Sequence, residues 1–302
     1  MRTIIPNSPL AWLLAARPKT LTGAIIPVLL GSALAFSDGQ FKTTPALLCA
    51  LFACSMQIAA NFINDLFDFL KGADREDRLG PQRACAEGWI TPRAMRRGIG
   101  LTLLLSCLSG LGVLFSVRGQ LPYGGWELVA LGAACILFAF LYTTKLSYLG
   151  WGDVLVLVFF GFVPVGGTYY VQAYTLNADV ALLSLVSGLA IDCLLMVNNY
   201  RDREQDAVSG KRTLVVRYGK RSGEYLYLAL GIAATLLCLW FIRTDRLTPL
   251  EFLWAPCVYL CLHVLTWRKM VRIGSGKELN TILGETSRNM LLLGVLLAAA
   301  MV

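Results

Sequence analysis

Two groups of acidic and amide side chains, 134 positions apart, contain the residues of this sequence best suited to chemistry. Asn64 precedes Asp68 by four positions, and Asp202 precedes Asp206 by the same spacing. On a helix this spacing places both members on one face. Each group follows a long apolar run, and carboxylates beside a bilayer are costly unless they hold a cation or line a wet cavity. The pattern predicts a shared pocket for Mg²⁺ and a phosphorylated ligand.

The first group forms a single stripe on its helix. Its members occupy positions i, i+3, i+4 and i+7: Asn61, Asn64, Asp65 and Asp68. Mg²⁺ held by such oxygen atoms neutralises a diphosphate as a Lewis acid. Three basic residues nearby are suited to the remaining phosphate oxygens: Lys71, Lys211 and Arg212. The alternative is a helix end that water and neighbouring cations simply solvate.

Three further features have weaker signals. Lys145 follows Tyr142 at the end of an apolar run, where it is either a ligand for an anion or a positive anchor at the membrane surface. Asp192 lies seven positions before Asn199, and we expect it to make a structural hydrogen bond. The polar segment 75–90 is either a lid over the site or an ordinary loop.

The composition predicts the elements that position these residues. Of 302 residues, 56% are hydrophobic and 15% are charged, whereas soluble domains have about 25% charged residues. Several apolar runs approach the roughly 20 residues that span a bilayer. The sequence predicts an all-α, polytopic membrane bundle of about nine helices in one domain, 1–302. The predicted spans are 20–37, 45–69, 95–116, 125–143, 152–171, 178–198, 223–242, 250–267 and 286–302.

Basic residues predict the orientation of these spans. With the N-terminus in the cytoplasm, 23 of the 27 lysines and arginines fall on the cytoplasmic side. The four on the other side are Lys42, Arg118, Arg243 and Arg246. Cytoplasmic loops of membrane proteins carry such an excess. Both acidic groups then face the cytoplasm, beside loops at about 70–94 and 199–222 that we expect to cap the site.

The net charge of +8 fits this membrane orientation and does not imply nucleic acid. Nine cysteines lie mostly in apolar runs, and His263 is the single histidine. These numbers argue against paired disulfides and against haem or di-iron ligation by histidine. The expected partners are the bilayer and small molecules, with no obligatory protein partner.

Longer motifs around these residues resemble the UbiA superfamily of intramembrane aromatic prenyltransferases. The two acidic motifs are Asn64-Asp65-x-x-Asp68 and Asp202-x-x-x-Asp206. The branch that prenylates 1,4-dihydroxy-2-naphthoate in menaquinone synthesis is the more similar one. That likeness rests on 17–21, 64–74, 78–83, 150–161 and 199–214. Benzoate-type members carry an acid where this chain has Gly72, and the segment after Tyr142 is shorter than is usual in the family.

The resemblance implies a fold, a reaction and roles for residues. A polyprenyl diphosphate and 1,4-dihydroxy-2-naphthoate would give demethylmenaquinol, diphosphate and CO₂ in a bacterial cytoplasmic membrane. Mg²⁺, or else Mn²⁺, would be held by Asn64, Asp68, Asp202 and Asp206. The implied catalytic residues are Asp65, Asp68, Asp202, Asp206, Lys71, Arg83 and Lys145. The implied substrate-binding residues are Asn61, Asn64, Asp74, Tyr142, Asn198, Asn199, Arg201, Lys211 and Arg212.

Three alternatives remain at this stage. Another aromatic acceptor, such as 4-hydroxybenzoate, haem or chlorophyllide, would leave the chemistry of the donor unchanged. A phosphatidyl-group transferase would need its acids within one motif, which this chain lacks. A cation-coupled transporter would favour inverted repeats and acids at the middle of the membrane, whereas the acids here lie at the ends of spans.

Overall fold

The protein is a bundle of helices in a computed structural model that describes residues 4–72 and 78–302. We number the helices in chain order. Their bounds are α1, Pro9–Ala16; α2, Thr22–Ser37; α3, Thr43–Leu70; α4, Pro92–Ser116; α5, Trp126–Leu149; α6, Gly152–Ala173; α7, Ala178–Val208; α8, Leu214–Tyr218; α9, Lys220–Arg243; α10, Pro249–Ile273; and α11, Leu279–Ala300. Within the described ranges no residue lies in a β-strand. The predicted all-α architecture is therefore confirmed.

Eight of the described helices, α3 to α7 and α9 to α11, are long and apolar enough to cross a bilayer. The pair α1 and α2 meets at a bend of 48° and adds a ninth span if it is counted as one. Large apolar side chains such as Leu101, Leu108 and Phe115 stay exposed on the outside of the bundle. Exposed apolar surface on this scale is typical of a protein that lies in lipid.

Two helices extend well beyond the predicted spans. Helix α7 starts at an Asn177 cap and continues past 198 to Val208, so it includes the second acidic group. Gly210, with a φ of +77°, follows its end. The expected loop at 199–222 is therefore mostly helical, since α8 lies in it as well. Helix α11 begins at Leu279 rather than at 286. Polar residues lower the hydropathy of these helix ends without preventing helix formation.

Three spans contain π-helical segments, at Tyr142–Leu146 in α5, Leu157–Gly166 in α6 and Leu253–Cys257 in α10. Two of them include a proline, Pro164 or Pro256. Proline has no backbone N–H and disrupts the α-helical hydrogen-bond ladder. Such irregular turns are tolerated within membrane bundles because neighbouring helices satisfy the freed groups. The segment in α5 changes the direction of side chains beside the acidic groups.

Helix α7 is the most buried span and lies at the centre of the bundle. Its Leu183 and Val186 are fully buried against neighbouring helices. Glycines let the surrounding helices approach closely, as is common in membrane bundles. A Cβ atom on Gly31 of α2 would lie 2.5 Å from the carbonyl oxygen of Val165 in α6. The ends of α3 and α7 that carry the acidic groups thus belong to a tightly packed bundle.

An ion-pair cluster joins helices at the opposite end of the bundle from the acidic groups. Arg246 contacts Asp38 at 2.5 Å and Asp179 at 3.1 Å. Tyr169 donates to Asp38, and the Trp240 indole donates to Asp179. These contacts connect α2, α6, α7 and α9, so this end of the bundle is cross-linked by charge-assisted hydrogen bonds.

Candidate active site

Both acidic groups line one cavity between the helices. Its lining includes Asn64 and Asp68 at the end of α3, and Asn198, Asp202 and Asp206 near the end of α7. The cavity has a volume of about 2730 Å³, whereas pockets for small molecules usually measure about 300–1,000 Å³. The fold therefore brings together two groups that are 134 positions apart in the chain.

The polarity of this cavity changes along its length. Its charged end contains Asp68, and its far end contains Cys49 of the same helix. Nineteen residues of α-helix separate the two, which is about 28 Å at 1.5 Å per residue. Away from the acidic groups the lining is mainly apolar and aromatic, with Phe52, Val113, Leu128, Phe138, Phe159, Phe160 and Val171 among its side chains. The cavity thus has a charged mouth and a long apolar interior.

Each of the three motif aspartates at the mouth is paired with a base. Asp68 contacts Arg83 at 2.7 Å, and the Asp206–Lys211 pair is 3.4 Å apart. Asp202 receives two hydrogen bonds from the Arg201 guanidinium, at 2.7 and 2.6 Å. Among residues 4–72 and 78–302, no three His, Cys, Asp or Glu side chains are close enough to hold a metal by themselves. A metal at this mouth would draw the rest of its ligands from amide oxygens, water or a bound substrate.

The described part of the loop between α3 and α4 lies against the second acidic group. Asn280 of α11 donates to the Leu79 carbonyl oxygen and accepts from Arg201, both within 2.9 Å. A Cβ atom on Gly80 would lie 2.9 Å from the Arg201 guanidinium. Asn280 therefore links the loop, α7 and α11 at the mouth of the cavity.

Asp65 lies against the loop between α3 and α4 rather than in the cavity. Its carboxylate is 1% exposed and accepts hydrogen bonds from the backbone N–H groups of Ala84, at 2.8 Å, and Cys85, at 2.9 Å. Asp65 does not line the cavity. Both oxygens are engaged by the loop, so Asp65 anchors the loop that holds Arg83 and is not placed to bind an ion.

We expect Asp65→Asn to destabilise the protein, because an amide nitrogen would face a backbone N–H where a carboxylate oxygen now accepts. Hydrogen bonds to charged groups contribute about 1.5–3 kcal/mol. Thermal denaturation in detergent should show a lower melting temperature than wild type. An unchanged melting temperature combined with lost activity would instead favour an ion-binding role for Asp65.

The other predicted residues divide into three sets. Those that line the cavity with the acids are Asn61, Lys71, Arg83, Tyr142, Asn199, Arg201 and Lys211. Asn61 also donates to Ala16 and Thr20 at the bend between α1 and α2. Lys145 and Arg212 are exposed and lie outside the lining, so we place neither of them in the site. Asp74 lies outside the described residues.

Buried Asp192 does not make the complete set of hydrogen bonds expected of a structural side chain. It is 2% exposed, and its Oδ1 atom has no hydrogen-bond partner among the described residues. It lies on α7 two helical turns before Asn199, outside the cavity lining. The expected structural hydrogen bond is therefore absent at that oxygen.

Three residues that line the mouth are not among the predicted site residues. Arg17 sits at the bend before α2 with a φ of +52° and lines the cavity. Tyr148 and Asn280 line it from the end of α5 and the start of α11. The motif around Arg17 was visible in the resemblance, but Tyr148 and Asn280 are single polar residues without a spaced partner.

Comparisons with known proteins agree with this arrangement. A model of the UbiA prenyltransferase family matches residues 24–282. The chain is 38% identical over 259 residues to 1,4-dihydroxy-2-naphthoate octaprenyltransferase of Escherichia coli K12, covering 84% of this chain and 82% of that protein. It is 34% identical to the enzyme of the same name from Haemophilus influenzae, covering 94% and 93%.

A solved structure has the same fold. A UbiA homologue from Archaeoglobus fulgidus bound to GPP and Mg²⁺ superposes with a TM-score of 0.64 at 12% identity, over 96% of this chain and 99% of that one. The family match covers most of the sequence, and the bundle places both acidic motifs at the mouth of one cavity. The chain therefore belongs to the UbiA prenyltransferase family.

Proposed function

We propose that this protein transfers a polyprenyl group from polyprenyl diphosphate to 1,4-dihydroxy-2-naphthoate, with release of diphosphate and CO₂. The observation that carries the proposal is the cavity with two acidic groups at its mouth and an apolar interior. A charged mouth suits a diphosphate, and an apolar interior suits a polyprenyl tail. The naphthoate acceptor is supported by relatives of that name at 34–38% identity.

The donor atoms at the mouth fit Mg²⁺. Carboxylate and amide oxygens are its preferred ligands, and it often completes its shell with substrate phosphates and water. Asn64, Asp68, Asp202 and Asp206 line the same mouth and would hold the ion together with the diphosphate. When bound, Mg²⁺ supplies positive charge that favours departure of the diphosphate. A UbiA homologue of the same fold binds GPP and Mg²⁺, which supports binding of a prenyl diphosphate and Mg²⁺ by this chain.

Basic side chains at the mouth take up the remaining negative charge. Arg83 contacts Asp68 at 2.7 Å, and Lys211 contacts Asp206 at 3.4 Å. Both basic groups therefore already lie beside the proposed metal ligands, where charge-assisted hydrogen bonds to phosphate oxygens are strong. Lys71 lines the mouth from the end of α3. These three residues bind the diphosphate and stabilise it as it leaves.

The interior of the cavity protects the reacting carbon. Breaking the bond between the allylic carbon and the diphosphate oxygen gives an allylic cation, which water would quench. Phe138, Phe159 and Phe160 line the cavity and exclude water. The electron-rich naphthalene then forms a bond from the carbon that bears its carboxylate. That carboxylate leaves as CO₂ and returns its bonding electrons to the ring.

Product formation by the purified protein tests this proposal. The protein is incubated with Mg²⁺, a polyprenyl diphosphate and either 1,4-dihydroxy-2-naphthoate or 4-hydroxybenzoate, and products are identified by mass spectrometry. We expect a decarboxylated prenyl naphthalenediol from the first acceptor. A prenylated benzoate formed at the higher kcat/KM would overturn the naphthoate assignment while leaving prenyl transfer intact.

The distribution of basic residues supports a cytoplasmic mouth in a bacterial inner membrane. The outward end would then include the Arg246 cluster, and the N-terminus would be cytoplasmic.

In a cysteine-depleted background, we expect Gln120→Cys to react with an impermeant maleimide in intact cells. Arg221→Cys should react only after permeabilisation. Both side chains are exposed, so the reverse labelling pattern would show that the orientation is inverted.

A further inference from the structure

Tyr148 stands between the two acidic groups on a backbone that several contacts fix. Its carbonyl oxygen accepts from the Arg212 N–H at 3.0 Å, and the next carbonyl, of Leu149, accepts from the Arg217 side chain at 2.7 Å. Gly150, with a φ of +82°, packs so closely against the Arg212 carbonyl that a Cβ atom would collide with it. The turn between α5 and α6 is thus bound to the segment that follows α7.

The Tyr148 ring contacts one lysine from each acidic group. The ammonium nitrogen of Lys71 lies 4.5 Å from the ring centroid, and that of Lys211 lies 5.6 Å from it. Both distances fall within the roughly 6 Å range of cation–π attraction. Tyr148 also lines the cavity with both lysines. One aromatic ring therefore connects the end of α3 with the segment after α7.

Apart from the ring, Lys71 contacts backbone carbonyl oxygens, whereas Lys211 contacts a carboxylate. Lys71 donates to the carbonyl oxygens of Thr143 and Thr144, each at 3.2 Å, in the π-helical segment of α5. Lys211 pairs with Asp206. Lysine side chains are long and lose considerable rotamer entropy when they are held in place. Two like charges near one mouth also repel each other, and a ring face between them offsets part of that repulsion.

We infer that Tyr148 is a positioning residue that holds the Lys71 and Lys211 ammonium groups at the mouth, ready for the diphosphate of the donor. This inference rests on the proposed diphosphate site. The ring itself takes no part in bond breaking. It acts through the two lysines, and the property that matters is the negative face of its π system.

Kinetics of variants at position 148 test the inference. Tyr148→Leu should raise KM for polyprenyl diphosphate about tenfold, while kcat and KM for the naphthoate change much less. Tyr148→Phe keeps the ring and should remain within about twofold of wild type. Tyr218→Leu, at an exposed tyrosine outside the cavity, is the matched control and should leave KM unchanged.

A series of fluorinated phenylalanines at position 148 separates the ring's electrostatics from its packing. Fluorine weakens the negative face while the shape of the side chain is nearly kept, so KM should rise with each added fluorine. A KM that does not change along the series, or a Phe variant as impaired as the Leu variant, would overturn the inference.

Lys71→Gln and Lys211→Gln test the underlying diphosphate site. If both leave KM unchanged, the proposed diphosphate site fails; if both raise it and Tyr148→Leu does not, only the inference on Tyr148 fails.

Discussion

Asp68→Asn and Asp202→Asn are each expected to lower turnover of 1,4-dihydroxy-2-naphthoate by at least about a hundredfold. That factor corresponds to about 2.7 kcal/mol of lost transition-state stabilisation. The two acids line one mouth from different helices, so each bears on the same diphosphate, where charge develops as the carbon–oxygen bond breaks. Steady-state kinetics on the purified variants give the measurement.

The double variant and a matched control make this prediction specific. Groups that act as one unit have strongly non-additive effects, so Asp68→Asn with Asp202→Asn should be little slower than either single variant. Asp245→Asn is the control. Asp245 lies in the turn at the Arg246 end with a φ of +57°, which asparagine tolerates. A folded cluster variant with wild-type turnover would refute the shared site.

Removal of divalent cations is expected to abolish turnover. The polar atoms at the mouth are carboxylate and amide oxygens, which bind hard cations such as Mg²⁺ and Mn²⁺. Without a cation the diphosphate would face Asp68, Asp202 and Asp206 with only the basic side chains to offset repulsion. Product formation should stop after treatment with EDTA and return when Mg²⁺ is added in excess.

A readout other than turnover supports the same prediction. Binding of a non-reactive prenyl diphosphate analogue should weaken after chelation in the wild type. In Asp68→Asn and Asp202→Asn, binding should already be weak and respond little to Mg²⁺. Full turnover by exhaustively chelated protein would remove the metal from the proposed mechanism, whereas the cavity and its basic residues would remain as described.

Hydropathy predicted the bundle because membrane spans differ from loops in composition along the whole chain. It failed at helix ends, where polar function and helical structure coincide. Helix α7 continues to Val208 because hydrogen bonds along the backbone do not depend on apolar side chains. The four-residue spacing of Asp202 and Asp206 is typical of a helix. It therefore indicates helical structure beyond the predicted end of the span at 198.

The sequence predicts those lining residues that share one face of a helix. It does not predict contacts that a distant segment of the chain adds on folding. Asn64 and Asp68 line the mouth as their spacing predicted. Asp65 lies on the same stripe, yet a loop 19 positions later supplies backbone N–H groups to its carboxylate. No local pattern reveals such a partner, so its anchoring role could be found only in the folded chain.

For Lys145 the sequence left two interpretations open, a ligand for an anion or a positive anchor at the membrane surface. The chain from Tyr142 to Leu146 is π-helical, which shifts the direction of side chains relative to an α-helix. Tyr142 consequently lines the cavity and Lys145 is exposed. Tyr148, three residues later, contacts the two lysines instead.

The change of polarity along the cavity affects how substrates enter it and how products leave it. Both substrates carry negative charge that keeps their head groups at the aqueous surface, and the reaction removes the diphosphate from one and the carboxylate from the other. The product is neutral, so nothing at the charged mouth retains it. Its prenyl chain favours the hydrocarbon of the membrane, while diphosphate returns to water. Partition between two phases thus clears the site and favours turnover in one direction.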